Sequence, residues 1–422
     1  MMNVLVVPCG TEIAHEIVRS LKDVKNTVVF GANGIKAYTE IPSERVSNNI
    51  PFIDDEGFIE SIASLIKEWG ITHIIPAHDS AALKLSESAP TLSAKIVSSP
   101  YETNMVCRSK KLTYERLTNV VKTPKLFQQT DELEFPLFVK PDVGQGSVGT
   151  RLVREENALE LNDDELLCEY LPGEEFTVDC VSNHLGELIF ASARKRNQTR
   201  NGIAVETELV QDQERFRELA IKISSTLDLR GGWFFQVKEA KDGELCLLEV
   251  ATRIAGSMIT SRFNGINFTE LSLLVSNDIP ISVSNNNLNV KVYRNLNFQF
   301  ETNLDFDVIY TDYDDCLLLE ERFINSELVK VIFEAINAGK KVKLITRHAG
   351  NLKESLEKYR LTGLFDEVIH IKDNDSLKSN FISDEKAIFI DDSFRERKDV
   401  SSRLGIPCFS VDMIRGLSCI RN

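Results

Sequence analysis

FPLFVKPDVGQGSVGTRLV, residues 135–153, decides how this chain is read. Two runs with alternating positions flank a turn holding Gly144, Gly146, Ser147 and Gly149, and Lys140 ends the first run. Such alternation predicts strands. Glycine reaches backbone angles closed to other residues and lets a ligand come near the main chain. A loop of this kind can aim several N–H groups at a phosphate, and the lysine adds a point charge. No GK[ST] triplet follows, so the loop is not a Walker A loop. A tight β-hairpin without a ligand would show the same pattern, so the neighbours have to carry the argument.

Downstream, Glu169 to Glu175 ends a strand and crosses the turn Pro172-Gly173. Backbone groups at that strand end can meet an adenine edge, and a carboxylate after the turn can accept two ribose hydroxyls. A solvated acidic turn would read the same way. Gln236 and Glu249 sit in the apolar runs GWFFQVKEA and CLLEVATR. A carboxylate at the end of an apolar run needs a partner, and Mg²⁺ held with phosphate oxygens supplies one. Arg253 could meet phosphate charge or simply pair with Glu249. Arg194, Arg196 and Arg200 form a basic cluster that starts within a strand and calls for an anion or for solvent.

Working outward, residues 3–9, 27–31 and 71–76 read as strands, with helices over 12–22 and 55–69. That alternation predicts an α/β unit with a mainly parallel sheet. It lacks GxGxxG after its first strand, which argues against a dinucleotide fold. The middle region reads as α+β. A helix spans 109–119, strands span 165–170, 175–183 and 187–196, and a helix spans 212–227. A hairpin joins 232–239 to 244–251 across Lys241-Asp242-Gly243. A polar stretch at 284–290 precedes a third region. There strands are expected at 307–311, 342–346, 387–390 and 407–410, with helices at 322–338 and 351–359.

The third region carries its own chemistry. Asp312 and Asp314 follow the apolar strand VIYT, Thr346 ends VKLIT, and Asp391-Asp392 end AIFI. Sites gather at the carboxyl ends of parallel strands. Asp312 can act as a nucleophile toward phosphorus and Asp314 as general acid and base. Thr346 can donate to a phosphoryl oxygen. Asp312, Asp314, Asp391 and Asp392 can hold a magnesium ion.

Composition bounds the rest. The 422 residues suggest two or three domains. Lys plus Arg number 49 against 64 Asp plus Glu, a net charge of -15, which disfavours a general nucleic-acid binder. The 8 cysteines form no CxxC pair and no zinc spacing, so they are expected to be reduced in a cytoplasmic protein. No signal peptide and no membrane span is expected. The 6 histidines form no metal motif, although His78 could line a domain interface and His348 the pocket beside Thr346.

These motifs resemble two families. Residues 1 to about 298 resemble an ATP-grasp enzyme of the carbamoyl-phosphate-synthase-like, carboxylate–amine ligase branch. FVKP with Lys140 and GQGSVG match the family's lysine and glycine loop, Ser109-Lys110 stands where the family has its earlier "DK" pair, and Gln236 and Glu249 match its metal ligands. The closing pattern E-x-N-P-R reads EVATR here, so Ala251 replaces an asparagine ligand. Residues 305–422 resemble a HAD-superfamily phosphohydrolase, with Asp312, Asp314, Thr346 and Asp391-Asp392 in pattern and Cys316 in place of a threonine. That resemblance implies a lysine, assigned to Lys378 with Lys386 as the alternative. The 31 residues between Asp314 and Thr346 leave no room for a large cap.

The resemblances imply a multidomain protein of α/β and α+β class. It would have a pre-ATP-grasp α/β domain (1–105), a two-lobed ATP-grasp fold (106–298) and a Rossmannoid HAD-like domain (305–422). The implied cofactors are ATP and Mg²⁺, bound by Lys110, Lys140, the glycine loop, Glu169, Leu171, Glu175, Gln236 and Glu249, with Arg253 on the oxyanion. The implied activity is joining a small carboxylate to an amine through an acyl phosphate, beside phosphatase action on a phosphorylated metabolite. Neither membrane nor nucleic acid is an expected partner, and a homodimer is the default. The alternative is a phosphatase beside an ATP-grasp domain that binds nucleotide without turnover.

Overall fold

The computed structural model describes residues 1–35, 43–200, 202–295, 300, 302–373 and 375–417. Cys419 and the expected boundary at 298 lie outside them. The chain divides into two compact units, Met1–Asn295 and Leu296–Asn422.

The first unit opens with β1 (Met2–Val7), α1 (Glu12–Leu21), β2 (Thr27–Ala32), β3 (Val46–Ser47), α2 (Phe58–Trp69), β4 (His73–Pro76), α3 (Asp79–Ser88) and β5 (Lys95–Ile96). The strands form a parallel sheet in the order β3-β2-β1-β4-β5. Alternation along β1 buries Val4 and Val6 in one core and Leu5 and Val7 in another, so both faces are covered. Helix α2 starts later than the sequence pattern suggests. Gly57, at φ +87°, is its N-cap and sets the first turn. Helix α3 was not expected, because its cap is His78, whose ring nitrogen accepts from the Ser80 N–H, and its apolar stripe is made of alanines and leucines.

Helices α4 (Tyr101–Arg108) and α5 (Lys110–Leu117) lead into β6 (Leu126–Phe127), β7 (Leu137–Pro141), β8 (Arg151–Val153) and β9 (Glu165–Glu169). These strands form an antiparallel sheet in the order β6-β9-β7-β8. The next elements are β10 (Glu175–Ser182), β11 (Leu188–Arg200), β12 (Ile203–Leu209), α6 (Glu214–Ser224), β13 (Gly231–Glu239), β14 (Leu245–Ala251), α7 (Ile259–Arg262), α8 (Phe268–Ser276) and β15 (Lys291–Tyr293). Their sheet runs β14-β13-β10-β11-β12-β15. Phe234 faces the core shared with β1, while Trp233 and Phe235 face the other side. The ATP-binding elements of the sequence reading therefore stand on two antiparallel sheets.

Two local readings change. Arg194 is no part of a solvated hairpin or an anion cluster. It is 3% exposed and donates from Nε to Asp179 Oδ2 at 2.8 Å within the sheet. Glu249 does not pair with Arg253, which instead meets Asp79 at 2.8 Å.

The second unit holds β16 (Val308–Thr311), β17 (Leu318–Leu319), β18 (Phe323–Ile324), α9 (Ser326–Asn337), β19 (Lys341–Thr346), α10 (Leu352–Lys358), β20 (Glu367–His370), β21 (Ala387–Ile390), α11 (Phe394–Leu404), β22 (Cys408–Phe409) and α12 (Ile414–Leu417). Its main sheet is parallel, in the order β20-β19-β16-β21-β22. Residues 322–325 are not helical as expected. Phe323 pairs with Leu319, and the Asn325 side chain caps α9 by accepting from the Leu328 N–H. Helix α11 was missed although Ser393 and Glu396 form an S-x-x-E start, because its charge masks the apolar stripe.

Removing one partner of the Asp179–Arg194 pair leaves a buried charge, which typically costs about 3–5 kcal/mol. Arg194→Ala is expected to lose that much stability in urea unfolding, while the double variant Asp179→Leu/Arg194→Met keeps most of it.

Candidate functional site

The first unit contains a cleft between its two antiparallel sheets. Lys140, in β7, projects into it. The side chain is almost buried, donates to the Tyr114 hydroxyl at 2.5 Å and lies 5.0 Å from that ring's centroid. Burial holds its ammonium below the usual lysine range. No carboxylate forms an ion pair with it among the described residues.

Lys110 starts α5, one turn before Tyr114, so both point the same way. Its ammonium donates to the carbonyls of Asp142 and Gly144, each at 3.2 Å. The Asp142 carboxylate accepts from Ser109 Oγ (2.8 and 2.9 Å) and from the Lys111 N–H (2.7 Å). The root of the glycine loop is thereby tied to the helix start. Burial also lowers the Lys110 pKa, with Glu249 pulling the other way.

The loop itself is left-handed at Gly146 (φ +63°), Ser147 (φ +59°) and Gly149 (φ +75°). Gly202, just beyond β11, packs on it, and a Cβ there would sit 2.2 Å from the Gly146 carbonyl. Gly144, Gly146 and Ser147 line the cleft, whereas Gly149 turns the chain behind it.

Glu169, in β9 beside β7, and Leu171 and Glu175 beyond it also line the cleft. Glu169 accepts from the Lys125 N–H at 3.1 Å, and Glu175 pairs with Arg196 at 3.0 Å. Gln236 and Glu249 are direct register partners across the β13–β14 pair, and both face the cleft. Burial raises the Glu249 pKa, only partly offset by Lys110. Ala251 sits two residues on, opposite Phe234, and offers no donor atom. Arg253 does not line the cleft. It stays with Asp79, over the Phe234 ring at 5.1 Å, and its Nε has no hydrogen-bond partner among the described residues. Of the three cluster arginines, Arg194 is in the sheet core, Arg196 is at the cleft and Arg200 is exposed.

Tyr114 and Gly202 escaped the sequence reading. Tyr114 is legible only as the i+4 neighbour of Lys110. Gly202 has no signal beyond being a glycine after a basic strand.

In the second unit, Asp312 follows β16 and Asp391-Asp392 follow β21. Sheet growth reverses between these two strands, a place where open parallel sheets bind ligands. Lys378 lies between them, 2.8 Å from Asp312 Oδ1 and 2.7 Å from Asp391 Oδ2. Lys386 is elsewhere, pairing with Asp305 at 2.7 Å. The Thr346 hydroxyl faces Asp312. Burial pushes Asp391 up to about 6, with Lys378 opposing and Asp312 adding to the shift. Burial raises Asp312 as well, and Lys378 again opposes. The Lys378 ammonium is itself disfavoured by burial, but the two carboxylates outweigh that and hold its pKa up.

Asp312, Cys316 and Asp392 offer ligand atoms within 4.8 Å of one another. Asp314 is not in that group, and neither is Asp391, which anchors Lys378 and accepts from the Ser393 N–H.

Comparison with known proteins places the first unit. Residues 162–298 match the family described as ATP-grasp in the biosynthetic pathway with Ter operon. A biotin carboxylase from Campylobacter jejuni is similar over 67% of this chain and 73% of its own, with a TM-score of 0.57 and 16% identity. N5-carboxyaminoimidazole synthetase from Staphylococcus aureus is similar over 68% and 80%, with a TM-score of 0.55 and 16% identity. An L-amino acid ligase from Bacillus licheniformis is similar over 67% and 75%, with a TM-score of 0.55 and 18% identity. About two thirds of the chain thus shares the ATP-grasp fold. None of these likenesses is to a phosphohydrolase. No curated protein matches the chain. Among the described residues, no helix is long and apolar enough to cross a membrane.

A buried lysine with no carboxylate partner is a local cost. Lys140→Met is expected to raise the stability of the ligand-free protein by about 1 kcal/mol at pH 7. The unfolded lysine keeps its proton to about pH 10.4, while the folded one releases it earlier. Wild-type stability should therefore climb through that alkaline window relative to the variant, and urea unfolding across pH measures both effects.

Proposed function

We propose that residues 1–298 form an ATP-dependent carboxylate–amine ligase of the carbamoyl-phosphate-synthase-like branch, and that residues 305–422 form a Mg²⁺-dependent, HAD-like phosphatase without a large cap. The three-part division at 105 and 298 belongs to this reading, as do a cytoplasmic setting and a homodimer. The observation that carries the ligase reading is the convergence on one cleft of Lys110, Lys140, the glycine loop, Glu175 and the facing pair Gln236 and Glu249.

In this reading Lys110, Lys140 and the loop N–H groups hold the ATP phosphates. Backbone groups of Glu169 to Leu171 meet adenine, and Glu175 takes the ribose hydroxyls. Gln236 and Glu249 would hold Mg²⁺, which supplies charge neutralisation for the transferring phosphoryl group. They fit, because Glu249 is a half-buried carboxylate facing the cleft with no salt bridge among the described residues, and Gln236 adds a neutral oxygen beside it. A substrate carboxylate oxygen attacks the γ-phosphorus, and the bond to ADP breaks. The neutral amine then attacks the acyl carbon, phosphate leaves with the C–O electron pair, and the amine proton passes to solvent. The oxyanion role assigned to Arg253 would require its side chain to leave Asp79 and turn toward the cleft, which it does not line. The substrates proposed are a small carboxylic acid and an amine.

The phosphatase reading rests on Lys378 bridging Asp312 and Asp391 beside Thr346. Asp312 would attack phosphorus of a phosphorylated metabolite while Asp314 protonates the leaving oxygen. Water deprotonated by Asp314 would then attack the aspartyl phosphate and release phosphate, and Thr346 and Lys378 would hold the phosphoryl oxygens. Asp312 and Asp392 fit a divalent cation by their proximity, with Asp391 fixing Lys378 behind them. A second reading, favoured by the methyl group of Ala251 at a ligand position, keeps the phosphatase and makes the grasp domain a nucleotide binder.

Phosphorus-31 NMR separates these readings. The full chain is incubated with ATP, Mg²⁺ and pooled acids and amines, beside Lys140→Ala and Asp312→Asn. ADP and phosphate formation that needs an acid–amine pair and falls at least ~100-fold in Lys140→Ala supports the ligase. Undiminished turnover in Lys140→Ala overturns it. Phosphoester hydrolysis lost in Asp312→Asn with no acid-dependent ADP supports the second reading.

A further inference from the structure

Asp314 is the more exposed of the two motif acids, with 40% of its side chain accessible. An exposed aspartate ordinarily samples several rotamers, and a general acid must be aimed at one oxygen. Among the described residues, one side chain holds its carboxylate. His348 Nδ1 lies 2.9 Å from Oδ1 and 3.1 Å from Oδ2. A ring nitrogen that close to both carboxylate oxygens carries the hydrogen, which sets the imidazole tautomer.

The ring is fixed in turn. Tyr313, fully buried, packs against it at 90° with centroids 5.2 Å apart, and the Tyr313 hydroxyl meets Ser355 Oγ at 2.8 Å. The His348 N–H donates to Thr346 Oγ1 at 3.1 Å. His370 Nε2 lies 2.8 Å from the His348 carbonyl. Gly350 leaves space on the other side, where a Cβ would come within 3.1 Å of Nε2. His348 therefore joins Thr346, which ends one strand, through its backbone N–H, and Asp314, which follows another, through its ring.

We propose that His348 is the positioning residue for Asp314. It donates Nδ1–H to the carboxylate, limits its rotation and aims it at the departing ester oxygen, without touching substrate. The proposal rests on the phosphatase reading above. A misplacement of about 1 Å in such a group costs on the order of 100-fold in rate. The cost falls on substrates whose leaving group needs a proton.

The experiment compares two phosphomonoesters, p-nitrophenyl phosphate, whose leaving group departs as an anion, and β-glycerophosphate, whose alkoxide needs protonation. His348→Ala is expected to lower kcat on β-glycerophosphate about 100-fold and on p-nitrophenyl phosphate less than about tenfold, with KM little changed. His348→Asn, which keeps an N–H near Nδ1, is expected to recover most of the loss. Gly350→Ala, which presses on the ring, is expected to fall between. Equal losses on both esters, or no recovery in His348→Asn, overturn the proposal. Nitrogen-15 NMR of the protein labelled at its 6 histidines gives a readout free of turnover. His348 is expected as the Nδ1–H tautomer, reverting toward Nε2–H in Asp314→Ala. Turnover with an Nε2–H His348 in the wild type removes this inference alone. A wild type that hydrolyses neither ester, even at millimolar Mg²⁺, removes the phosphatase reading and this role together.

Discussion

Charge withheld from water governs both units, in opposite ways. In the cleft of the first unit, the buried Lys140 and the half-buried Glu249 have no ion-pair partner among the described residues, and desolvation shifts each toward its neutral form. The surrounding strands are locked by ladder hydrogen bonds and cannot relax to satisfy them. In the second unit Lys378 meets two carboxylates at once, so part of the acidic charge there is offset within the chain. One site is built to be finished by its ligand. The other keeps its geometry before anything arrives.

Much of the architecture was legible because its periodicities are plain. The β1–β4 unit, the β7–β8 hairpin around the glycine loop and the β13–β14 hairpin all follow apolar alternation broken by glycine or proline. The acids of the second unit were legible because each ends an apolar strand. What escaped has a physical reason. Helix α3 lacks a usual cap, and charge hides the stripe of α11. Tyr114 contributes through a fold-dependent meeting with Lys140. Arg194 resembles Arg196 in sequence, yet two residues along the strand place it under a neighbouring carboxylate, in the sheet core.

The departures from family patterns fall at places of different consequence. Ala251 removes an oxygen beside Glu249 while leaving the strand pairing intact, with Phe234 as its partner. Cys316 is fully buried, its Sγ 3.8 Å from Asp392 Oδ1, and burial among acids pushes its thiol far up. A neutral thiol in that position keeps shape without adding charge to a crowded acidic end. The first substitution changes what the site can hold, and the second changes little but polarity.

The order of strands in the second unit has a consequence for synthesis and turnover of the chain. Strand β16 is made first yet lies at the centre, and β21 joins it only after β19 and β20 have been laid down on its other side. Asp312 and Asp391 are separated by 79 positions in the chain, with Lys378 between them in sequence as in space. A ribosome-bound or C-terminally clipped chain would carry the first acid without the strand that completes the cluster. Closing such distant segments is slow relative to local structure. The integrity of the cluster reports that nearly the whole unit has been translated and docked.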